Sequence, residues 1–179
     1  MQKAVFLDRD GVINEVLSHR VKFVNKPSDF YLLDGVGEAI KLLNQANYKV
    51  FVVTNQGGVG LGYMKEQQLI RVHEKMKLDL KEYGAMIDDI AYCPHKPHEG
   101  CACRKPEPEM ITNLAQKYNI ALKDSYMIGD RDVDIFAGKS AGTKTILVGN
   151  DEQLGLADMW FANLLLAVKW IIDEGERVT

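Results

Sequence analysis

Two carboxylates one residue apart, Asp8 and Asp10, follow directly on the apolar run Ala4-Val5-Phe6-Leu7. A run of that kind reads as a buried strand, and open parallel α/β sheets bind ligands at the carboxyl ends of their strands. Two acids facing one crevice repel each other unless a cation or a shared proton relieves them. The pair therefore points to a divalent metal and to a reaction that uses both acids. Three further groups fall where later strands should end: Thr54-Asn55-Gln56-Gly57-Gly58 after Val50 to Val53, Arg104-Lys105-Pro106 after a Cys/His loop, and Gly129-Asp130 with Asp132 and Asp134 after Tyr126-Met127-Ile128. Taken singly, each has a plainer reading as a solvated turn, a strand-ending cap, surface charge or a helix-start acid.

Phosphoryl transfer accounts for the four groups together. A carboxylate can attack phosphorus and carry the phosphoryl group as an aspartyl-phosphate, and cations must screen its approach to a phosphate dianion. Mg²⁺ takes one or two carboxylates and keeps room for phosphate oxygen and water, with Asp8 and Asp130 the natural ligands. Lys105 supplies a second positive charge, and Thr54 a hydroxyl close to backbone amides. Asp10 can protonate the leaving alkoxide and later take a proton from the attacking water.

The elements that must carry these residues are short and alternate in type. Strands are predicted at Ala4–Leu7, Lys49–Thr54, Asp89–Tyr92, Ser125–Ile128 and Thr143–Val148. Between them, apolar stripes at Val36/Ile40/Leu42/Leu43, Leu69/Val72/Met76/Leu80, Ile111/Leu114/Ala115/Tyr118 and Ile135–Ala141 predict helices. A last helix is expected from an N-cap at Asn163 to Ile172. The alternation implies an α/β fold with a doubly wound, Rossmann-like parallel sheet of about five strands. Long loops at Gly11–Asp34 and Cys93–Arg104 interrupt it, and loops of that length are usually functional. His73 is expected at the surface, and Trp160, Phe161 and Trp170 are expected to pack the end of the chain onto the sheet.

A length of 179 residues suits one domain spanning 1–179, and 46% apolar with 26% charged residues is ordinary for a globular protein. A net charge of −3 gives no general reason to bind nucleic acid or an anionic membrane. No apolar stretch approaches a membrane span, and Met1-Gln2-Lys3 runs straight into the first strand rather than a signal peptide. Three clustered cysteines, an odd number, argue against a disulfide framework and for a reducing compartment. The expectation is a cytoplasmic monomer acting on a small phosphorylated metabolite, with no nucleic-acid and no membrane partner.

Cys93-Pro94-His95 and Cys101-Ala102-Cys103 place soft ligands close together, an inventory that fits tetrahedral Zn²⁺ with three thiolates and one imidazole. His98 competes with His95 for the imidazole place. Four protein ligands leave no open position, so such a zinc would be structural.

As a set, the motifs Asp8-Arg9-Asp10-Gly11-Val12-Ile13, Thr54, Lys105 and Gly129-Asp130 to Asp134 resemble those of the haloacid dehalogenase (HAD) superfamily of phosphatases. The resemblance covers Ala4 to about Ile172. It implies Asp8 as nucleophile, Asp10 as general acid and base, and Mg²⁺ on Asp8, Asp130 and the backbone carbonyl of Asp10. Thr54 and Lys105 would steady the transferring group, with Asn55, Gln56 and Gly57 beside the substrate. The string Cys93 to Pro106 is similar to a zinc-loop subgroup of these phosphatases that has no large cap domain and acts on heptose 1,7-bisphosphate or histidinol phosphate. There the zinc ligands correspond to Cys93, His95, Cys101 and Cys103, Arg104 meets the substrate, and the zinc loop and the loop after Ile13 enclose the pocket. The implied reaction is removal of the 7-phosphate of D-glycero-D-manno-heptose 1,7-bisphosphate, with histidinol phosphate as the alternative substrate. A non-catalytic phosphometabolite-binding protein would lack one of the motif residues, and none is missing. Arg131 stands where the heptose enzymes commonly carry lysine and could meet a second phosphate. Leu61 replaces a common arginine. The loop Asn14–Phe30 offers Ser18, His19, Arg20 and Lys22 as its own candidates, His19 either as a substrate contact or as a solvated loop residue.

Overall fold

The computed structural model describes residues 1–149 and 155–177. Six strands form one sheet: β1 Ala4–Leu7, β2 Lys49–Asn55, β3 Asp89–Cys93, β4 Tyr126–Gly129, β5 Lys144–Val148 and β6 Met159–Phe161. All neighbouring pairs are parallel, in the order β3-β2-β1-β4-β5-β6. The sixth strand goes beyond the five expected. It has only three residues, Met159-Trp160-Phe161 at the sheet edge, an apolar run too short to be read as a strand from sequence.

Five helices cover the sheet: α1 Val36–Gln45, α2 Glu66–Lys81, α3 Glu109–Tyr118, α4 Asp132–Ala141 and α5 Leu164–Arg177. Because both faces are covered, the central strands are apolar throughout instead of alternating. Val5 and Leu7 of β1 join the cluster formed with α1, α2 and α5. Ala4 and Phe6 point the other way and pack with Phe51, Val53 and residues of α3 and α4. Asn163 caps α5 as expected, its Oδ1 accepting the Leu166 N–H at 3.0 Å, and the helix runs past Ile172 to Arg177. Trp170 on α5 stacks near Phe161 and Tyr126, closing the β6 end.

His73 is not at the surface. It lies on the buried stripe of α2 with Leu69, Val72, Met76 and Leu80, and only 6% of it is exposed. Its spacing from Leu69 and Met76 already puts it on that face, but a polar residue type masks the stripe.

Two irregular segments matter for the site. The chain from 16 to 34 is tied down by Val21, Val24 and Phe30 in the core and by Arg20, which pairs with Glu15 at 2.7 Å and lies over the Tyr31 ring. The second segment, 57–62 after β2, is stitched to the Cys/His loop by the Gly60 N–H bond to the Pro94 carbonyl at 2.9 Å. The strand order reverses between β1 and β4, the place where doubly wound sheets leave a crevice for ligands. The Asp8 N–H donates to the Ile128 carbonyl at 3.0 Å, which extends the β1–β4 pairing to the first catalytic candidate.

Candidate active site

The crevice at that reversal opens into a cleft of about 680 Å³. Asp8, Asp10, Thr54, Lys105, Asp130 and Asp134 form its floor, with residues 16, 17 and 22–25 on one wall and 55–58, 61, 63 and 64 on the other. Asp8, Asp10 and Asp130 follow β1 and β4, Thr54 lies near the end of β2 and Asp134 in the first turn of α4, whereas Lys105 comes from the loop between β3 and α3. Gly11 is required beside them. Its φ is +84°, and a Cβ there would overlap the Asp130 carboxylate.

Lys105 is the hub of the floor. Its buried Nζ donates to Asp8 Oδ1 at 2.8 Å, to Asp134 Oδ1 at 2.6 Å and to the Val53 carbonyl at 2.7 Å. Asn55 clasps the same residue by the backbone, Oδ1 accepting the Lys105 N–H and Nδ2 donating to the Lys105 carbonyl. Asn55 therefore stands in the cleft wall with its amide already engaged. Gln56 is buried and links two floor residues, its Nε2 donating to Thr54 Oγ1 at 2.9 Å and Asp10 Oδ2 at 3.2 Å.

The acids titrate according to their neighbours. Burial, then the Asp134 charge, push Asp8 up to about 8 against the opposing pull of Lys105. Burial and Asp134 push Asp130 up to about 6. Burial also works against Asp10, but the Arg9 charge and hydrogen bonds from Asn14, Arg9 and Gln56 hold it below the ordinary carboxylate value. Asp10 Oδ1 receives Arg9 Nε, Arg9 Nη2 and Asn14 Nδ2, which leaves Oδ2 as the oxygen at which a proton can come and go.

The residues fit a divalent cation. Asp8, Asp130 and Asp134 bring one oxygen each within 4.8 Å of the others. Three carboxylates face one ammonium, a surplus equal to the charge of one divalent ion. Asp130 Oδ1 is buried with no hydrogen-bond partner, an orphaned acceptor that an ion would satisfy. Asp134 is already engaged by Lys105 and by the Arg131 N–H, so Asp8 and Asp130 are the better donors.

The Cys/His loop also gathers its ligands. Cys93 Sγ lies 3.4 Å from His95 Nδ1, 3.6 Å from Cys101 Sγ and 2.9 Å from Cys103 Sγ, with His95 Nδ1 3.3 Å from Cys103 Sγ. Four soft donors gathered within 4.8 Å of one another could hold one zinc. His98 is outside this group, and the imidazole gathered with the three thiols is that of His95.

Several candidates sit elsewhere than expected. His19 is exposed and lines a separate hollow with Ser18 and Arg20, whereas Lys22 of the same loop lines the cleft. Arg104 is not among the residues lining the cleft. Its Nη1 donates to the His95 carbonyl at 3.3 Å, behind Gly57, which does line it. The zinc loop accordingly backs the 57–62 segment instead of forming a cleft wall itself; a Cβ on Gly60 would lie 2.8 Å from the Lys96 nitrogen. Arg131 is exposed at the cleft rim.

Sequence reasoning assigned no role to Asp134, Arg9, Asn14 or His73. Asp134 was visible within the Gly129–Asp134 motif, and Arg9 between the two acids. Nothing local marks His73, because its partner is 64 residues away in the chain.

An all-parallel sheet with this acid–lysine floor at its switch point defines a HAD-type phosphatase, and residues 102–155 match the HAD-hydrolase-like family. The chain belongs to the HAD superfamily of phosphatases. It is 42% identical to a D-glycero-beta-D-manno-heptose-1,7-bisphosphate 7-phosphatase of Haemophilus ducreyi over 80% of this chain and 81% of that protein. It is 39% identical to a D-glycero-alpha-D-manno-heptose-1,7-bisphosphate 7-phosphatase of Photorhabdus laumondii over 78% of each. Its fold superposes with a TM-score of 0.86 on the D,D-heptose 1,7-bisphosphate phosphatase of B. bronchiseptica solved with magnesium and phosphate, at 33% identity over 97% of this chain and 99% of that one.

Proposed function

We propose that this protein removes the 7-phosphate of D-glycero-D-manno-heptose 1,7-bisphosphate through an aspartyl-phosphate on Asp8. The observation that carries the reading is the convergence of Asp8, Asp10, Lys105 and the unpartnered Asp130 oxygen on one cleft floor. Bound between Asp8, Asp130 and the Asp10 carbonyl, Mg²⁺ would offset the acids' charge and draw phosphoryl oxygens toward Asp8. Lys105 Nζ and Thr54 Oγ1 stabilise the transferring group's negative oxygens. The Asp8 carboxylate attacks phosphorus and the bond to the sugar oxygen breaks. Asp10 is ionised in the free protein; the arriving phosphate charge raises its pKa, so Oδ2 takes up a proton and passes it to the leaving alkoxide. Asp10 then accepts a proton from water as that water attacks phosphorus, which frees Asp8 and releases inorganic phosphate.

The cationic rim supports a second anionic group on the substrate. Lys22 and Arg131 face the cleft, and beyond the floor acids no carboxylate lines it among the described residues. A cationic substrate such as histidinol phosphate lacks a partner there. The zinc, held by Cys93, His95, Cys101 and Cys103, would be structural, fixing the loop that supports residues 57–62. Reduced thiols in such a cluster suit a cytoplasmic location.

The test is phosphate release with Mg²⁺ from both anomers of heptose 1,7-bisphosphate and from histidinol phosphate. Preference for either heptose anomer is expected. Preference for histidinol phosphate would overturn the substrate, and full activity in Asp8→Asn would overturn the nucleophile.

A further inference from the structure

Arg9, between the two catalytic acids, is the largest fully buried side chain among the described residues. A buried guanidinium is costly unless its N–H groups find acceptors. Nε and Nη2 donate to Asp10 Oδ1 at 3.1 and 2.8 Å. Nη1 lies 3.2 Å from Nε2 of His73, on α2. A guanidinium only donates, so His73 Nε2 must be the acceptor, and the ring is neutral with its proton on Nδ1. The imidazole is held in turn: its ring sits 5.7 Å from that of Tyr92, whose hydroxyl donates to Glu66 Oε1 at 2.8 Å at the start of α2. Asp10 has two other donors, Asn14 and Gln56, but among the described residues Arg9 brings the one cation that pairs with it.

We propose that His73 is a positioning residue for phosphoryl transfer: its neutral imidazole accepts from Arg9 and so fixes the guanidinium that aims Asp10 at the leaving oxygen. The inference rests on Asp10 being the general acid. Without the acceptor, Arg9 Nη1 becomes a buried unpaired donor, and the guanidinium relaxes toward another partner. Asp10 Oδ1 then loses its charged anchor, and small misplacements of a proton donor cost rate steeply. His73 is buried and is not among the residues lining the cleft, so it acts through Arg9.

The experiment compares two leaving groups. An alkoxide needs a proton to depart and p-nitrophenolate does not, while kcat/KM reports only the steps through departure. In His73→Leu, kcat/KM for the alkyl ester (heptose bisphosphate or another active sugar phosphate) should fall about tenfold, part of the roughly 10²–10⁴ that a general acid contributes. For p-nitrophenyl phosphate it should change by less than about twofold, since no acid is required there. His73→Gln, whose amide oxygen can sit where Nε2 sat, should recover most of the alkyl rate. If His73→Leu does not fold, His73→Met makes the same comparison. Equal losses on both esters would mean a merely structural role and overturn the proposal, as would no loss on either. Asp10→Asn is the reference. If it selectively impairs the alkyl ester and His73→Leu does not, this inference fails and the acid assignment stands. Equal impairment of both esters in Asp10→Asn sinks the acid assignment and this inference with it.

Discussion

Lys105→Met removes the cation at the centre of the floor and keeps most of the side-chain volume. Nζ currently bonds Asp8 and Asp134 at 2.8 and 2.6 Å, and all three groups are buried. Removing one member of a buried ion network costs about 3–5 kcal/mol, because the remaining charges are left uncompensated. For a chain of this size that lowers the unfolding midpoint by roughly 10 °C. The sign of its pH dependence follows from the acids. Asp8 already titrates near 8 with the lysine present, against 3.8 ordinarily, and losing Lys105 moves it higher. A carboxylate whose folded pKa is raised binds protons that the unfolded chain does not, so its stability contribution is complete below the unfolded pKa and is lost as pH rises. Wild type and variant lose that contribution in parallel up to about 8, where the wild-type Asp8 titrates, and above it only the variant goes on losing it, so the destabilisation by Lys105→Met should be larger at pH 9 than at pH 6. Urea unfolding of metal-free wild type and variant at both pH values measures it. A loss under about 1 kcal/mol, or a larger loss in acid, would refute the picture of a lysine compensating buried, ionised carboxylates.

Three other outcomes are expected. His73 titrates near 3 because burial and then Arg9 oppose its protonation, so its own contribution to stability should fall by roughly 1.4 kcal/mol per pH unit from 6.5 down to about 3, against the opposite contributions of Asp8 and Asp130; the difference in unfolding free energy between wild type and His73→Gln should carry this slope. Cys101→Ser should bind less zinc by metal analysis, and its KM should rise because the loop behind residues 57–62 loosens; unchanged zinc content would argue against Cys101 as a ligand. In Gly60→Ala the new Cβ would meet the Lys96 nitrogen and Pro94 oxygen at 2.8 and 2.9 Å, both backbone atoms. Overpacking there should cost about 1–3 kcal/mol in thermal or urea unfolding, and a neutral result would deny the close seam between the two loops.

Much of the floor was legible in the chain because Asp8, Thr54 and Gly129-Asp130 each follow an apolar run, and a parallel sheet brings such ends to one rim. Lys105 was legible by its motif. The side walls were less so. His19 and Lys22 are equally plausible from sequence, but the turn at 17–22, closed by the Leu17 N–H bond to the Lys22 carbonyl, sends one to a separate hollow and the other to the cleft. Arg104 follows the zinc ligands directly, yet its guanidinium folds back onto the His95 carbonyl.

The parallel α/β architecture, the acids of the cleft floor, the lysine and the soft-ligand cluster are all readable in the chain. Each of these is declared by residue type in a local pattern: apolar runs ending in acids, or thiols two residues apart. Only the tertiary structure decided how those groups are held. Asp134 shares Lys105 with Asp8, Asn55 clasps the lysine's backbone, and a buried His73 reaches Arg9 from a helix far along the chain. Such contacts join residues through the packing of helix on sheet, which periodicity records only as a buried face. A buried guanidinium has a fixed need for acceptors, but the chain's order does not say which side chain the fold will bring to it.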